Sequence, residues 1–402
     1  MPALPGKTVR RIAAFAAILF FAGRADAGGP LILQNTGAPF LWSTATPISY
    51  QTDNGPLSAT VNEAAARSRV LTMFNVWQNV PTSGIRYTRT GFINPAGAFT
   101  GGDVDTLAEF NAVDASCAAG AQSPIIYDDD GSIFVALGID ETSIIGFAGP
   151  CAVTATQIVS GIAMMNGLFQ DGQDPEIPAA AFDAALIHEF GHFSGLDHSQ
   201  IGLDCLFGPC GDDLAALPTM FPFLLDVSQA VLAPDDVAWI SQLYPETATA
   251  PTFAGTHGTI TGIVYFSDGE SHAQFVNVIA RQEEAGGNED RRVAVSVVSG
   301  YKFRMFHGNP ITNSPISPGS ESPGDIGLFE IPVPAGNYTI EVQSIWFEFT
   351  GGSSVGPGFI IEVPGATPPP IGPIAVAAGA TVIGNDVVLI NTAPRFDQFE
   401  SP

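Results

Sequence analysis

Positive charge is what this 402-residue chain has least of: 14 Lys and Arg stand against 40 Asp and Glu, a formal charge of −26. Four of those cations (Lys7, Arg10, Arg11 and Arg24) fall in the first 27 residues beside one anion, Asp26, so the remainder is more acidic still. Such a surface repels phosphate, which excludes nucleic-acid binding and attachment to anionic membranes through a basic patch. Long apolar runs are scarce too. The run from Ile12 to Ala22 is too short to span a bilayer comfortably, and no later stretch reaches about 18 apolar residues. With Lys7, Arg10 and Arg11 before it and Ala25-Asp26-Ala27 after it, that run reads as a secretory signal cut before Gly28. The expectation is an exported protein without a transmembrane anchor, secreted or held in a periplasm or at a cell surface.

Cysteine is nearly absent. The four present, Cys117, Cys151, Cys205 and Cys210, form an even set that in an exported chain favours two disulfides out of three connectivities. Proximity in sequence suggests Cys117 with Cys151 and Cys205 with Cys210. A competing reading makes Cys205 and Cys210 thiolate ligands of a metal, but a C-x-x-x-x-C pair without a second pair is a weak zinc signal. A hydrophobic fraction of 46% excludes a wholly disordered chain and suffices for one large or two medium cores.

Along the chain, Pro47-Ile48-Ser49-Tyr50 predicts a strand, and Thr60-Val61-Asn62-Glu63 predicts a capped helix that ends before Pro81 with Val61, Ala64, Leu71, Phe74 and Trp77 on its apolar stripe. Residues 82–177 read as short β runs (125–127, 132–137, 157–165) between Gly-rich loops. A second helix opens near Pro178 with Phe182, Leu186 and Phe190 in a row, and a third at Pro234 with Asp235 and Asp236 in its first turn. After a Thr/Ala/Pro linker the helical period vanishes, and strands are expected at 259–266, 275–280, 293–298, 327–333, 338–347 and 381–390. The predicted architecture is an α+β unit of strands and long helices followed by an all-β sandwich-like domain. Its boundaries are a signal at 1–27, a first unit at 28–246, a linker at 247–254, a β module at 255–393 and a tail at 394–402. Because the linker has no long apolar run to dock it, the two units are expected to fold separately.

Histidine is also rare, six in all, yet three of them stand in His188-Glu189-Phe190-Gly191-His192-Phe193-Ser194-Gly195-Leu196-Asp197-His198, which is H-E-x-x-H-x-x-G-x-x-H. Random placement at these offsets is expected on the order of 10⁻⁵ times in such a sequence. On a helix, His188 and His192 project from one face and can share a metal. Gly195 permits a left-handed turn that brings His198 to a third ligand position and leaves a fourth for water. Glu189, beside the ligands without being one, is placed to accept that water's proton.

At these residues the sequence resembles the metzincin zinc endopeptidases, and His198-Ser199 makes it most similar to the matrixin branch. Leu217-Pro218-Thr219-Met220-Phe221-Pro222 stands where that family has its Met-turn, so the resemblance implies Met220 as an apolar floor beneath the ligands. Residues 233–244 are similar to the helix that closes matrixin catalytic domains. The resemblance implies that residues 28–246 are the catalytic unit, a twisted sheet with long helices and a zinc cleft, and it implies one catalytic zinc and polypeptide substrates. No His lies between Gly28 and Ile187, so the family's His-rich structural zinc site is missing, and no Cys precedes Cys117, so its cysteine-bearing propeptide is not expected. In the family the loop between the third His and the Met-turn walls the pocket for the residue after the scissile bond, which here implies a wall containing Leu203, Leu206, Phe207, Leu214 and Leu217. The second half resembles the transthyretin-like regulatory modules of carboxypeptidases.

Asp128-Asp129-Asp130-Gly131 leaves two readings open, a calcium site using Asp128 and Asp130 or a solvated acidic turn. His257, His272 and His307 lack ligand spacing and read as surface or packing residues. The function expected is a secreted zinc endopeptidase. The alternative is a secreted surface or matrix-binding protein that retains the fold and binds an extracellular protein or glycan through its β module.

Overall fold

The computed structural model describes residues 28–206, 216–283, 289–303, 319–345, 365 and 367–393. The expected signal, Phe207, Cys210, Leu214, His307 and the tail lie outside them. The chain is mixed α/β, with several sheets and a few helices.

The first half is built on a six-stranded sheet of β1 (Leu41–Trp42), β2 (Ile48–Thr52), β3 (Tyr87–Phe92), β4 (Pro124–Asp128), β5 (Gly146–Val153) and β6 (Gln157–Asn166), in the order β1-β6-β4-β2-β3. All pairs along that path are parallel; β5 joins the far side of β6 antiparallel and forms an edge. Every residue of β4 is buried, as a central parallel strand covered on both faces requires.

Helix α1 (Glu63–Gln78) starts two residues later than its sequence suggests. The Asn62 side chain accepts the Ala65 N–H and caps the helix, whereas the Thr60 hydroxyl donates to the Gln170 carbonyl. It buries Ala66, Val70, Met73, Phe74 and Trp77 along one stripe. Helix α2 (Leu107–Ala118) falls where only strands and loops are expected. Its signal is legible in retrospect: Thr106 caps the Glu109 N–H, and Phe110, Val113 and Cys117 are buried at helical spacing. The run expected as a strand at 132–137 is a short helix, α3 (Ser132–Ala136), because Asp130 and Asp128 accept the Ser132 and Phe134 N–H groups of its first turn. Cys117 at the end of α2 is bonded to Cys151 on β5. Cys205 is disulfide-bonded as well, its expected partner lying outside the described residues.

The two helices expected near Pro178 and Pro234 follow, α4 (Ala179–Phe193) and α5 (Pro234–Leu243), and then the short α6 (Phe253–Thr256), which spans the end of the expected linker. α4 is buried almost all round, which suits a helix enclosed by α1, β5 and β6. The second half contains β7 (His257–Tyr265), β8 (Asn277–Glu283), β9 (Glu289–Val298), β10 (Leu328–Pro334), β11 (Gly336–Gln343), β12 (Ile371–Val376), β13 (Thr381–Val382) and β14 (Val387–Val388). They form two four-stranded sheets, β10-β7-β13 with β14 also on β7, and β12-β11-β8-β9. β12 was not foreseen, and the single strand expected at 381–390 is two short pieces separated by a turn at Gly384.

The halves are joined more closely than the linker suggests. One core cluster runs through both, from Trp77, Phe190 and Trp239 to Val278, Val295 and Phe329. At the joint the Trp239 Nε1–H donates to the Ser296 carbonyl at 2.8 Å, and the Ser296 N–H donates to Asp235 Oδ1 at 2.8 Å.

Candidate metal centre

Helix α4 is fixed against α1 before any ligand is considered. The Trp77 indole N–H donates to the Ile187 carbonyl at 2.8 Å, and Phe74 stacks on Phe190 with ring centroids 3.8 Å apart. This orients the face that carries His188 and His192. The helix ends at Ser194, whose carbonyl accepts the Tyr244 hydroxyl, and Gly195 follows with φ +89°, the left-handed conformation expected of it. The chain reverses there, and His198 arrives on a segment without regular structure.

The three imidazoles are buried, and one ligand atom from each lies within 4.8 Å of the others. Their hydrogen bonds assign the ring nitrogens. His188 Nδ1 lies 2.8 Å from the Thr219 carbonyl and His192 Nδ1 lies 2.9 Å from the Leu196 carbonyl, so each Nδ1 carries the proton it donates and each Nε2 bears a lone pair. His188 Nε2 is buried without a hydrogen-bond partner among the described residues, and His192 Nε2 faces His198 Nε2 at 3.1 Å. Lone pairs converging in a dry site repel one another unless a proton or cation lies between them. Burial lowers the pKa of His188 to about 4 and that of His192 to about 3, so both stay neutral near pH 7. This donor set fits a metal ion; the three-His group could hold one.

Glu189 is buried on the same helix, and its Oε2 has no hydrogen-bond partner among the described residues. Burial alone pushes its carboxyl up to about 8. A cation beside it would favour the ionised form and pull that value back toward neutrality.

Met220 is buried against Gly191, where a Cβ would sit 2.2 Å from the Met220 sulfur and 2.9 Å from the Trp77 ring. Glycine at this helix position is therefore a packing requirement. The Met220 turn is pinned by a residue whose sequence role looked merely electrostatic. Asp236 accepts the Thr219 and Met220 N–H groups at 2.8 and 3.0 Å, as well as that of Ala233 at 2.7 Å, and so ties the turn to the start of α5. Thr219 in turn orients His188. Tyr244, Trp42 and Tyr87 also escaped the sequence reading: Trp42 Nε1–H donates to the Phe193 carbonyl, and the Tyr87 and Ser194 hydroxyls are 2.5 Å apart. Aromatic residues far apart in sequence offer no spacing that reveals such support.

A pocket opens beside His188 and Glu189, lined by Ile145, Gly146, Ala184, Ala185, Thr219, Phe221, Pro222, Leu224 and Gln229. It is apolar in large part and has no cation. Of the wall expected from the 200–219 loop, Thr219 lines the pocket, whereas Leu203 and Leu217 pack with Phe221 and Phe223 in a separate small cluster that Leu206 joins; Phe207 and Leu214 lie outside the described residues. Asp128 and Asp130 spend carboxylate oxygens on the α3 backbone, and the three-His set is the metal-ligand group found among the described residues. Among the described residues no helix is long and apolar enough to cross a membrane. No family model matches the chain, and no curated protein matches it.

Proposed function

We propose that this chain is a secreted zinc endopeptidase of the metzincin kind, closest in pattern to the matrixins, with an α+β catalytic unit and a sandwich-like β module. The observation that carries the reading is the convergence of three buried imidazoles, with two Nε2 lone pairs freed by backbone hydrogen bonds, beside a buried carboxyl and an apolar pocket.

In this reading His188, His192 and His198 hold the ion. Zinc bound there supplies a Lewis acid that lowers the pKa of a water molecule toward neutrality and polarises a carbonyl oxygen. Glu189 accepts a proton from the attacking water as the new C–O bond forms. It then delivers that proton to the amide nitrogen as the C–N bond breaks, and the second water proton, left on the new carboxyl group, passes to the departing amine, so the products are a carboxylate and an ammonium group. Edge strand β5, whose Gly146 borders the pocket, can take an extended polypeptide as an added antiparallel strand. Ala184, Ala185 and Leu224 suit an apolar side chain in the pocket, worth roughly 1–3 kcal/mol of preference when well filled.

The test is incubation of residues 28–402 with unfolded casein, with and without a zinc chelator, alongside Glu189→Gln. The wild type should cleave in a chelator-sensitive way, and the variant should keep its metal while losing about 10²- to 10⁴-fold in turnover. Metal-loaded, folded wild type that cleaves nothing would leave the binding role through the β module as the better account.

A further inference from the structure

His188 and His192 are held by a helix, but nothing regular holds His198. Its position depends on what grips residues 197–201. Two ties come from the first residues of the described chain: the Asp197 N–H donates to the Gly29 carbonyl at 3.0 Å, and the Gly28 N–H donates to the His198 carbonyl. A third comes from the Met220 turn, whose carbonyl accepts the Ser199 N–H at 2.8 Å.

Further ties run to the second half of the chain, directly or through Asp235 of α5. Asn277, the first residue of β8, is fully buried in a run of chain whose neighbours Val276, Val278 and Ile279 are buried and apolar, so an apolar residue would be the ordinary choice there. Its Nδ2 donates to the Gln200 carbonyl at 3.1 Å, two residues beyond the third imidazole. Ile201 is buried against Ile279 and Ala294 of β8 and β9. Asp235, which accepts the Ser296 N–H from β9, is also hydrogen-bonded to the Ser199 side chain. Gly28 is wedged here as well: a Cβ on it would sit 2.3 Å from the Ser296 carbonyl oxygen.

We infer that the β8–β9 face is a working part of the metal centre, with Asn277 a positioning residue that fixes the backbone carrying His198. The inference rests on the metal-centre reading above. A module serving only as an appended binding domain would need no buried amide aimed at this carbonyl. Loss of the amide loosens the 198–201 segment, and the ligand it carries, without disturbing the helix that carries the other two.

The experiment uses the full mature chain, residues 28–402, loaded with zinc and, separately, with cobalt. Zinc release into excess chelator and the visible absorption of the cobalt form are measured for wild type, Asn277→Leu and Tyr338→Phe, the last removing the hydroxyl that donates to the Pro334 carbonyl at 2.7 Å, a bond of the second half that does not touch residues 197–201 or their partners. Asn277→Leu should release zinc about 10-fold faster or more and alter the cobalt spectrum, whereas Tyr338→Phe stays within about threefold of wild type at comparable loss of thermal stability. Should the leucine variant not fold, Asn277→Ser removes the reach of the amide while keeping a polar atom, with the same expectation. Unchanged release in the Asn277 variants, beside a wild type that holds zinc tightly, overturns the positioning role alone. Equal acceleration in the Asn277 and Tyr338 variants, in step with stability, also overturns it. A folded wild type that takes up no zinc removes the metal-centre reading and this inference together.

Discussion

His198 and Asp53 illustrate two ways in which one buried side chain acts on this protein. His198→Ala would leave two imidazoles on α4, so metal affinity should fall by at least the roughly 10- to 100-fold that loss of a mere supporting partner costs. Equilibrium competition against a chelator measures it; tight stoichiometric metal in the variant would contradict the third-ligand role. Asp53 lies at the end of β2, accepts the Gly55 N–H at 3.1 Å, and is wholly buried beside Asp103. Burial raises its carboxyl to about 8, and the neighbouring Asp103 carboxylate pushes in the same direction. An unfolded Asp titrates near about 4. The native state therefore holds a proton that the unfolded state has released, and stability from this group is full below that unfolded value and lost as pH rises toward 8. Asp53→Asn should remove the dependence, so the variant gains on wild type between pH 5 and pH 8. Urea unfolding at several pH values checks this; a constant difference would show that Asp53 is ionised throughout.

A covalent cross-link ties edge strand β5 of the six-stranded sheet to a helix. Cys117 at the end of α2 and Cys151 on β5 are 34 residues apart in sequence, and their bond ties the edge strand that borders the pocket to a helix packed on the sheet. Closing a loop of that length restricts the unfolded chain by about 3–4 kcal/mol on the chain-entropy account. The double variant Cys117→Ser, Cys151→Ser should lose about that much stability in denaturant titration. It should also weaken substrate binding more than turnover, because β5 is displaced while Glu189 on α4 is not. An equal loss in both parameters would place the disulfide's role in general stability.

The joint between the two halves leads to an expectation opposite to the one suggested by the linker. Cutting after residue 246 would expose Trp239 and Ile201, strip Asp235 of its Ser296 partner and leave Gln200 without Asn277. The 28–246 fragment should therefore aggregate or fail to hold metal, and the mature chain should unfold in one cooperative transition that metal shifts as a unit. Calorimetry with two separated transitions, or a soluble active fragment, would restore the picture of independent domains.

Local chemistry was readable in the linear order of residues. The H-E-x-x-H-x-x-G-x-x-H spacing places His188 and His192 one turn apart on one face of the helix with Glu189 next to the first of them, and Gly195 allows the chain to turn, because helical period and glycine's freedom at positive φ act over a few residues. The same locality made α4, α5 and the strands of β7 to β11 legible, and the Cys117–Cys151 pairing followed from proximity. The residues that hold the site together were not readable. Asp236 on the Met220 turn, Tyr244 and Trp42 on the end of α4, the apolar lining from Ile145 and Ala184, and Asn277 on Gln200 are matched across tens of residues. Such partners are chosen by which buried donor meets which buried acceptor once the layers have packed. That satisfaction of polar groups in a dry interior is a property of the assembled core, and no spacing in the chain encodes it.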